Sequence, residues 1–410
     1  MKIIVHMGQS KTGTSSLQES LHAAPEMLRA RKVLYPRFGH KYVAHHLLLA
    51  LCGSANRLPP WNLDRLGGPE GAEAAARSAW QMTCEDIRRN PPELLVLSSE
   101  YFINHLDSGG KARLAALLSR LSSDITPVLY VRHPVDHYRA RLQQALKHGD
   151  RRCVPVSGNL KGAILDTEAA FGRKPELVAF DRRTLHGRDI VCDFATRFLA
   201  PWIQATDLPS LNTNVGLSAE ALVLMAQLRA EAGGTYEASR QVSNLIPKLE
   251  ALDRSDPPAQ SLTLLPEVAE AALRSATNHL WLARTGQLQI PGLDLDRIDG
   301  ASPPEWMATV PSQNLFHHDP ERLNRLRISI EQLRARASSA NRSGKPSENP
   351  ILRIRDLLLR FLLRKLASSQ DRTTGAVPTR ENPVRRSSQG DRNENHSTDG
   401  NFDTGAGDRP

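Results

Sequence analysis

The sequence feature that most restricts the fold is a set of four short apolar runs. Stretches with helical spacing separate each run from the next. The runs are KIIVHM at 2–7, ELLVLSSE at 93–100, ITPVLYVR at 125–132 and ELVAFD at 176–181. Each has the length of a strand and the continuous apolarity of a strand that is covered on both faces. The alternation predicts an α/β domain of three layers, with a central, mostly parallel sheet between helices.

Helical patterns fill the intervals and dominate the chain after Asp181. Helices are predicted from Thr14 onward and over 70–89, 111–121, 137–147, 218–232, 265–283 and 320–337. We therefore expect one domain over 1–336, with a sheet core over about 1–200 and a helical part over about 201–336. Beyond it the composition shifts to Ser, Asn, Gly, Arg and Asp, which predicts a flexible tail over 337–410.

The first apolar run leads directly into a glycine-rich loop, GQSKTGTSS. Gly8 and Gly13 have the glycine spacing of a nucleotide-binding P-loop, but Thr14 stands where that loop has lysine, and Lys11 is the only lysine. A strand that ends in such a turn and opens a helix offers unpaired N–H groups and a positive helix end to an anion. We expect the hydroxyls of residues 14–16 to cap the helix and to reach the same anion.

The position of the lysine makes this loop similar to the 5′-phosphosulfate loop of bacterial-type sulfotransferases, which use 3′-phosphoadenosine 5′-phosphosulfate. That motif runs approximately K-x-G-T-[ST]-[SWL] after the first strand. The residues that match it here, and that the resemblance implies bind the donor, are Lys11, Thr12, Gly13, Thr14, Ser15 and Ser16. The resemblance also implies a P-loop-type fold, and it extends loosely over residues 2 to about 335.

A second segment resembles the part of these enzymes that binds the 3′-phosphate of the donor. VLYVRHPVDHYRARLQQ, at 128–144, supplies a strand that ends in Arg132 and a proline at 134 that suits a first helical turn. Arginine presents a planar fork to phosphate. The family has serine eight residues after the arginine, whereas this chain has Ala140, and a hydrogen bond to a charged group contributes about 1.5–3 kcal/mol. Arg139 and Arg141 are candidates to compensate.

Sulfuryl transfer to a hydroxyl needs a base for the acceptor's proton and positive charge on the leaving phosphate. The resemblance gives Lys11 the second role and a histidine or glutamate the first. Glu100 ends the second predicted strand, at the sheet edge where open α/β sheets bind ligands, although SSE can equally open a helix. His46 and His45, in an apolar stretch with helical spacing, are the other candidates. No spacing typical of metal ligands is present, and the predicted chemistry needs no metal.

We therefore expect a sulfotransferase with a small-molecule or glycan acceptor that offers a hydroxyl or an amine, and the resemblance suggests a carbohydrate or lipid-linked hydroxyl. A P-loop kinase for a small metabolite is the alternative enzyme, and it would need magnesium and a lysine after Gly13. A degenerate nucleotide-binding protein without catalysis is the alternative that Ala140 raises.

Composition bears on partners and location. The net charge is +9, and +5 of it falls on residues 336–410, which leaves too little on the body to favour nucleic acid as a partner. The four cysteines form no C-x-x-C pair, and no signal peptide or membrane span is predicted, so we expect a cytoplasmic protein. In the tail, ILRIRDLLLRFLLRKL at 351–366 predicts a basic amphipathic helix. That helix either contacts an anionic membrane surface peripherally or packs on the catalytic body or on a partner.

Overall fold

The structure is a computed structural model that describes residues 1–38, 43–148, 153–155, 158–209, 216–232, 242, 244–256 and 261–342. Residues Met1–Ala335 form one compact unit. The amphipathic helix predicted at 351–366, and the tail beyond residue 342, lie outside the described residues. The part of the chain that the structure describes contains no helix that is both long enough and apolar enough to cross a membrane.

The centre of the fold is a five-stranded sheet in which every pairing is parallel. In chain order its strands are β1 (Lys2–His6), β2 (Val33–Leu34), β3 (Leu94–Ser98), β4 (Ile125–Arg132) and β5 (Glu176–Phe180). The spatial order is β2-β3-β1-β4-β5. The α/β prediction and all four predicted strands are confirmed, and the sheet gains the edge strand β2.

Helices cover both faces of this sheet because successive residues of each strand point to opposite sides. Ile3 and Val5 of β1 lie in one apolar cluster, while Ile4 lies in another. The helices packed in the first cluster include α3 (Leu48–Cys52), α5 (Pro69–Arg89), α6 (Tyr101–His105), α7 (Ser108–Ser119) and α9 (Leu160–Phe171), with α4 (Pro60–Leu66) beside them. Those in the second are α1 (Thr14–Ala23), α2 (Pro25–Ala30) and α10 (Ile190–Phe194).

A second apolar core lies away from the sheet and is mainly helical. It is built by α8 (Pro134–His148), α11 (Ala219–Glu231), α12 (Ile246–Ser255), α13 (Pro266–Arg274), α15 (Trp306–Thr309) and α16 (Pro320–Arg342), with the antiparallel pair β6 (Thr263–Leu264) and β7 (Phe316–His317).

The single helix predicted over 265–283 is wrong. The segment contains two helices, α13 and α14 (Thr277–Arg284), and Ala276 between them has a non-helical ψ of 45°. Asn278 in the first turn of α14 donates to Gly158 O at 2.6 Å and accepts from Lys161 N at 2.9 Å. These contacts hold α14 against the start of α9. A straight continuation of α13 would not run in this direction.

The strand order creates a crevice at one edge of the sheet. The connection from β1 leads towards β2 on one side, whereas that from the adjacent β4 leads to β5 on the other. Ligands of open α/β sheets bind outside the carboxyl ends of strands where the connections diverge in this way. The glycine-rich loop at 7–13 and Arg132 therefore stand at the same crevice.

Candidate anion-binding site

Three residues of the loop between β1 and α1 have positive φ: Gly8 at 23°, Lys11 at 67° and Gly13 at 79°. The left-handed region is rare for a lysine and is costly unless the surrounding structure enforces it, a condition found mainly at ligand sites. Gly13 is the N-cap of α1, and no side chain caps this helix. The prediction that hydroxyls of residues 14–16 cap it is therefore wrong, because the left-handed Gly13 carries the chain into the helix instead.

The loop approaches two buried polar atoms so closely that residue 8 has room only for glycine. A Cβ there would lie 2.8 Å from Thr14 Oγ1 and 3.2 Å from His6 Nε2. Both atoms are buried and have no hydrogen-bond partner in the described part of the chain. Because a buried polar group without a partner is costly, this pair calls for a bound ligand, ion or ordered water at the loop.

The other hydroxyls of the loop differ in what they can offer. Thr12 is fully buried, and its Oγ1 donates to Gln9 O at 2.6 Å, so its proton already stabilises the loop. Ser15 is exposed and Ser16 is half-buried at the start of α1. Thr12 thus acts on the loop, whereas Thr14 and Ser16 remain candidates for direct contact.

Lys11 is half-buried and turns towards α8, where its Nζ donates to Gln144 Oε1 at 2.7 Å. Burial lowers the pKa of Lys11, the charge of Glu100 opposes that change, and the charges of Lys147 and Arg132 add to it. An ammonium has three donors, so two remain for an anion.

Arg132, at the end of β4, braces this loop. Its N–H donates to Gln9 Oε1 at 2.9 Å and its Nη1 donates to Lys11 O at 2.8 Å, while its guanidinium lies 5.4 Å from the ring centre of Phe180. The contact with the carbonyl of Lys11 helps to hold the unusual backbone of that residue. Its Nε and Nη2 donate to no other described residue.

Glu100 lies two residues beyond the end of the strand on which it was expected: β3 ends at Ser98, and Glu100 is the N-cap of α6. Gln18 Nε2 is 3.4 Å from Glu100 Oε2 and 3.1 Å from Ser98 Oγ. Ser98 Oγ is in turn 2.8 Å from His6 Nδ1. A polar chain therefore links Glu100, through α1, to the buried histidine beneath the loop.

The two other candidate bases precede α3 rather than lying in a helix. His45 Nδ1 accepts from Ser98 N at 2.9 Å, and its Nε2 donates to Pro36 O at 2.8 Å, so both nitrogens of a neutral ring are used. His45 is therefore structural. His46 is buried, its ring packs edge-on against Tyr101 at 5.7 Å, and burial lowers its pKa to about 4.

Helix α8 contains Ala140, at the position where the resemblance leads one to expect serine, and the two neighbouring arginines. Ala140 is half-buried. Arg139, one of the two arginines that could compensate for the missing serine hydroxyl, already forms an ion pair at 2.8 Å with Asp136 on the same helix. Arg141 points to a cavity beside the loop.

Sequence reasoning missed three residues at this edge: Gln9, His137 and His279. Gln9 binds the end of β4, His137 Nε2 lies 3.5 Å from Ser10 Oγ, and His279 Nε2 donates to Arg132 O at 3.1 Å. The position of Gln9 inside the loop was a usable signal, whereas nothing in the sequence near His279 indicates that it reaches β4.

Comparison with protein-family models, with curated proteins and with solved structures finds no match to this chain.

Proposed function

We propose that this protein is a sulfotransferase with a P-loop-type fold, which moves a sulfuryl group from 3′-phosphoadenosine 5′-phosphosulfate to a hydroxyl or amine of a small-molecule or glycan acceptor. The proposal rests on one observation: the glycine-rich loop and the end of β4, the two segments expected to bind the sulfuryl donor, lie at one crevice. There Arg132 donates a hydrogen bond to the carbonyl of Lys11, whose backbone is left-handed. These residues are 121 positions apart in the chain.

The polar atoms of the loop suit a doubly charged phosphosulfate. Lys11 supplies positive charge, and the start of α1 adds the N–H groups and the dipole of a helix N-terminus. The unpartnered Thr14 Oγ1 supplies a buried hydroxyl that can donate to the same oxyanion. A kinase loop would instead hold lysine at position 14.

The 3′-phosphate of the donor would be held by Arg132 through Nε and Nη2, since Nη1 already binds the loop. This double use makes Arg132 both a brace and a ligand. Ala140 offers no hydroxyl, and Arg139 is already paired with Asp136.

The bound donor would supply the sulfuryl group, whose sulfur gains a bond to the acceptor oxygen as its bond to the bridging phosphate oxygen breaks. Lys11 Nζ would stabilise the charge that develops on that leaving oxygen. Glu100 is the carboxylate best placed to accept the acceptor's proton, because it is half-buried and bonded to Gln18, and because its charge acts on Lys11. His46 remains the second candidate base.

Calorimetry with adenosine 3′,5′-bisphosphate tests the proposal, with adenosine 5′-phosphate and magnesium–ATP as comparison ligands. We expect the bisphosphate to bind at least tenfold more tightly than either. Arg132→Lys should remove most of this preference, whereas the control Arg139→Lys, on a residue that already has a carboxylate partner, should retain it.

Each alternative predicts a different result. Preference for magnesium–ATP, with magnesium-dependent phosphoryl transfer, would replace the proposal with the kinase. Tight bisphosphate binding without transfer to any acceptor in a cell extract supplied with labelled donor would favour the degenerate binder.

A further inference from the structure

A cavity of about 300 Å³ opens beside the loop, between its residues 9 and 10 and the helices α8, α13 and α14. The polar side chains of its wall include Ser10, Asn104, His137, Arg141, Asn159 and His279, and apolar residues such as Ile103, Leu160 and Ala272 also line it. A volume of this size lies at the lower end of those of ligand pockets. The cavity is therefore large enough for a small polar molecule beside residues 9 and 10 of the loop.

The charge of the wall has one sign. Arg141 carries a positive charge, and among the residues that the structure describes no aspartate or glutamate lines the wall and none forms an ion pair with Arg141. Burial lowers the pKa of His137 to about 3 and that of His279 to about 4, so both rings are neutral at physiological pH. An anion is the ligand that this wall favours.

One buried acceptor atom, His279 Nδ1, has no hydrogen-bond donor within the described residues. A carbonyl only accepts, so the 3.1 Å contact between His279 Nε2 and Arg132 O places the ring proton on Nε2. Nδ1 of the neutral ring then carries a lone pair, and it has no partner in the part of the chain that the structure describes. His279 is only 7% exposed. A ligand hydroxyl that donates to this nitrogen would satisfy it.

We propose that this cavity binds a small polyhydroxylated anion, whose carboxylate or phosphate pairs with Arg141 and whose hydroxyl donates to His279 Nδ1. The identification of this ligand as the sulfuryl acceptor rests on the proposed sulfotransferase activity, whereas the binding itself does not. Ser10 would then hold the molecule against the loop that carries Lys11.

Three sugars that share one pyranose ring and differ at C6 test the charge preference by calorimetry on the full chain: glucuronate, glucose 6-phosphate and glucose. We expect at least one of the two anions to bind at least tenfold more tightly than glucose. If neither anion binds better than glucose, the proposal is wrong.

Two matched arginines of α8 test the site. Arg141→Gln should cost the anion at least tenfold in affinity and leave the affinity for glucose unchanged, while Arg139→Gln, whose residue is outside the wall, should change neither. Equal losses in both variants would overturn the proposal, because they would indicate a general charge effect. Ala272→Leu keeps Arg141 and places a larger side chain in the cavity wall, so it should abolish anion binding. Anion binding that persists in this variant would also overturn the proposal.

An experiment with both ligands present tests the cavity proposal separately from the proposed sulfotransferase function. We expect adenosine 3′,5′-bisphosphate and the preferred sugar anion to bind together. Competition between them would assign the cavity to the donor and overturn the inference. Arg141-dependent anion binding in a protein that does not bind the bisphosphate would instead remove the sulfotransferase proposal and leave the cavity assignment intact.

Discussion

Replacing Gly13 with alanine should destabilise the protein by more than its backbone conformation alone explains. Gly13 has a φ of 79°, and a left-handed conformation costs a residue with a Cβ about 1–2 kcal/mol. The new Cβ would also lie 2.9 Å from Ile190 Cγ2 and 3.4 Å from Phe180 Cε2. Forcing an extra carbon into a packed core adds about 1–3 kcal/mol. We therefore expect a total loss of about 2–5 kcal/mol in the free energy of unfolding.

Gly172 provides a matched control. It is the C-cap of α9 with a φ of 65°, it is exposed, and a Cβ there would meet no atom within 4 Å. Gly172→Ala therefore carries the backbone cost and the change in the unfolded chain, but no contact cost. The two variants should differ by about 1–3 kcal/mol, the contribution of packing alone.

Urea unfolding of both variants and of the wild type, followed by circular dichroism, gives the comparison from the transition midpoints. If Gly13→Ala costs no more than Gly172→Ala, then the loop does not pack on Ile190 and Phe180 as the structure has it. The variant should also bind adenosine 3′,5′-bisphosphate more weakly, because the movement that relieves the contact displaces the backbone that presents the N–H groups.

Three further outcomes follow from other parts of the molecule. Lys11→Met should lower the rate of sulfuryl transfer at least a hundredfold while the urea midpoint stays near that of the wild type; a rate close to wild type would remove Lys11 from the chemistry. Arg322→Met should cost about 3–5 kcal/mol in urea unfolding, because it leaves Glu220 and Asp253 buried without the guanidinium that lies 2.8 and 2.7 Å away. Adding Glu220→Gln should recover part of that loss, and no recovery would contradict this reasoning. Burial lowers the pKa values of His6, His45 and His46 to about 3, 4 and 4, so below pH 6.5 the unfolded chain takes up protons that the folded protein excludes. Each of these histidines should then subtract up to about 1.4 kcal/mol of stability per pH unit as the pH falls towards 4, and an unfolding free energy that stays constant between pH 6.5 and 4.5 would contradict their burial as neutral rings.

The sheet was predictable because its strands differ from their surroundings in composition. β1, β3, β4 and β5 are runs of five to eight residues with few polar interruptions. β2 escaped prediction because two residues, Val33–Leu34, are too few to show any period. The break in 265–283 escaped for a different reason: apolar spacing continues across it, and the contacts of Asn278 that set the direction of α14 come from residues about 120 positions away.

The site was predictable only where it is local in sequence. The loop's glycines and Lys11 lie within six residues of the chain, and their spacing alone indicated an anion site. The brace from Arg132 to Lys11 O and the contact of His279 with Arg132 O are set by the way the chain folds back on itself. For this reason Arg132 was expected only as a phosphate ligand, and its support of the loop became visible in the structure. His45 stayed a candidate base in the sequence because a histidine that binds two backbone groups looks there like one that is available to a substrate.

Gln144 gives the most direct test of how Lys11 acts, because it holds the lysine through a neutral acceptor. Gln144→Glu keeps the side-chain length and changes that acceptor into an anion, which would raise the pKa of Lys11 and pair with its ammonium. A phosphate-bearing ligand would then have to displace a carboxylate from Lys11. We expect the affinity for adenosine 3′,5′-bisphosphate to fall about tenfold, or about 1.4 kcal/mol, and the loss to shrink as salt screens the added charge. Gln144→Met removes the acceptor without adding charge, so Lys11 keeps all three donors for the ligand and the affinity should hold or rise. If both variants weaken binding equally and independently of salt, Gln144 contacts the ligand itself, and the idea that it acts by positioning Lys11 is wrong.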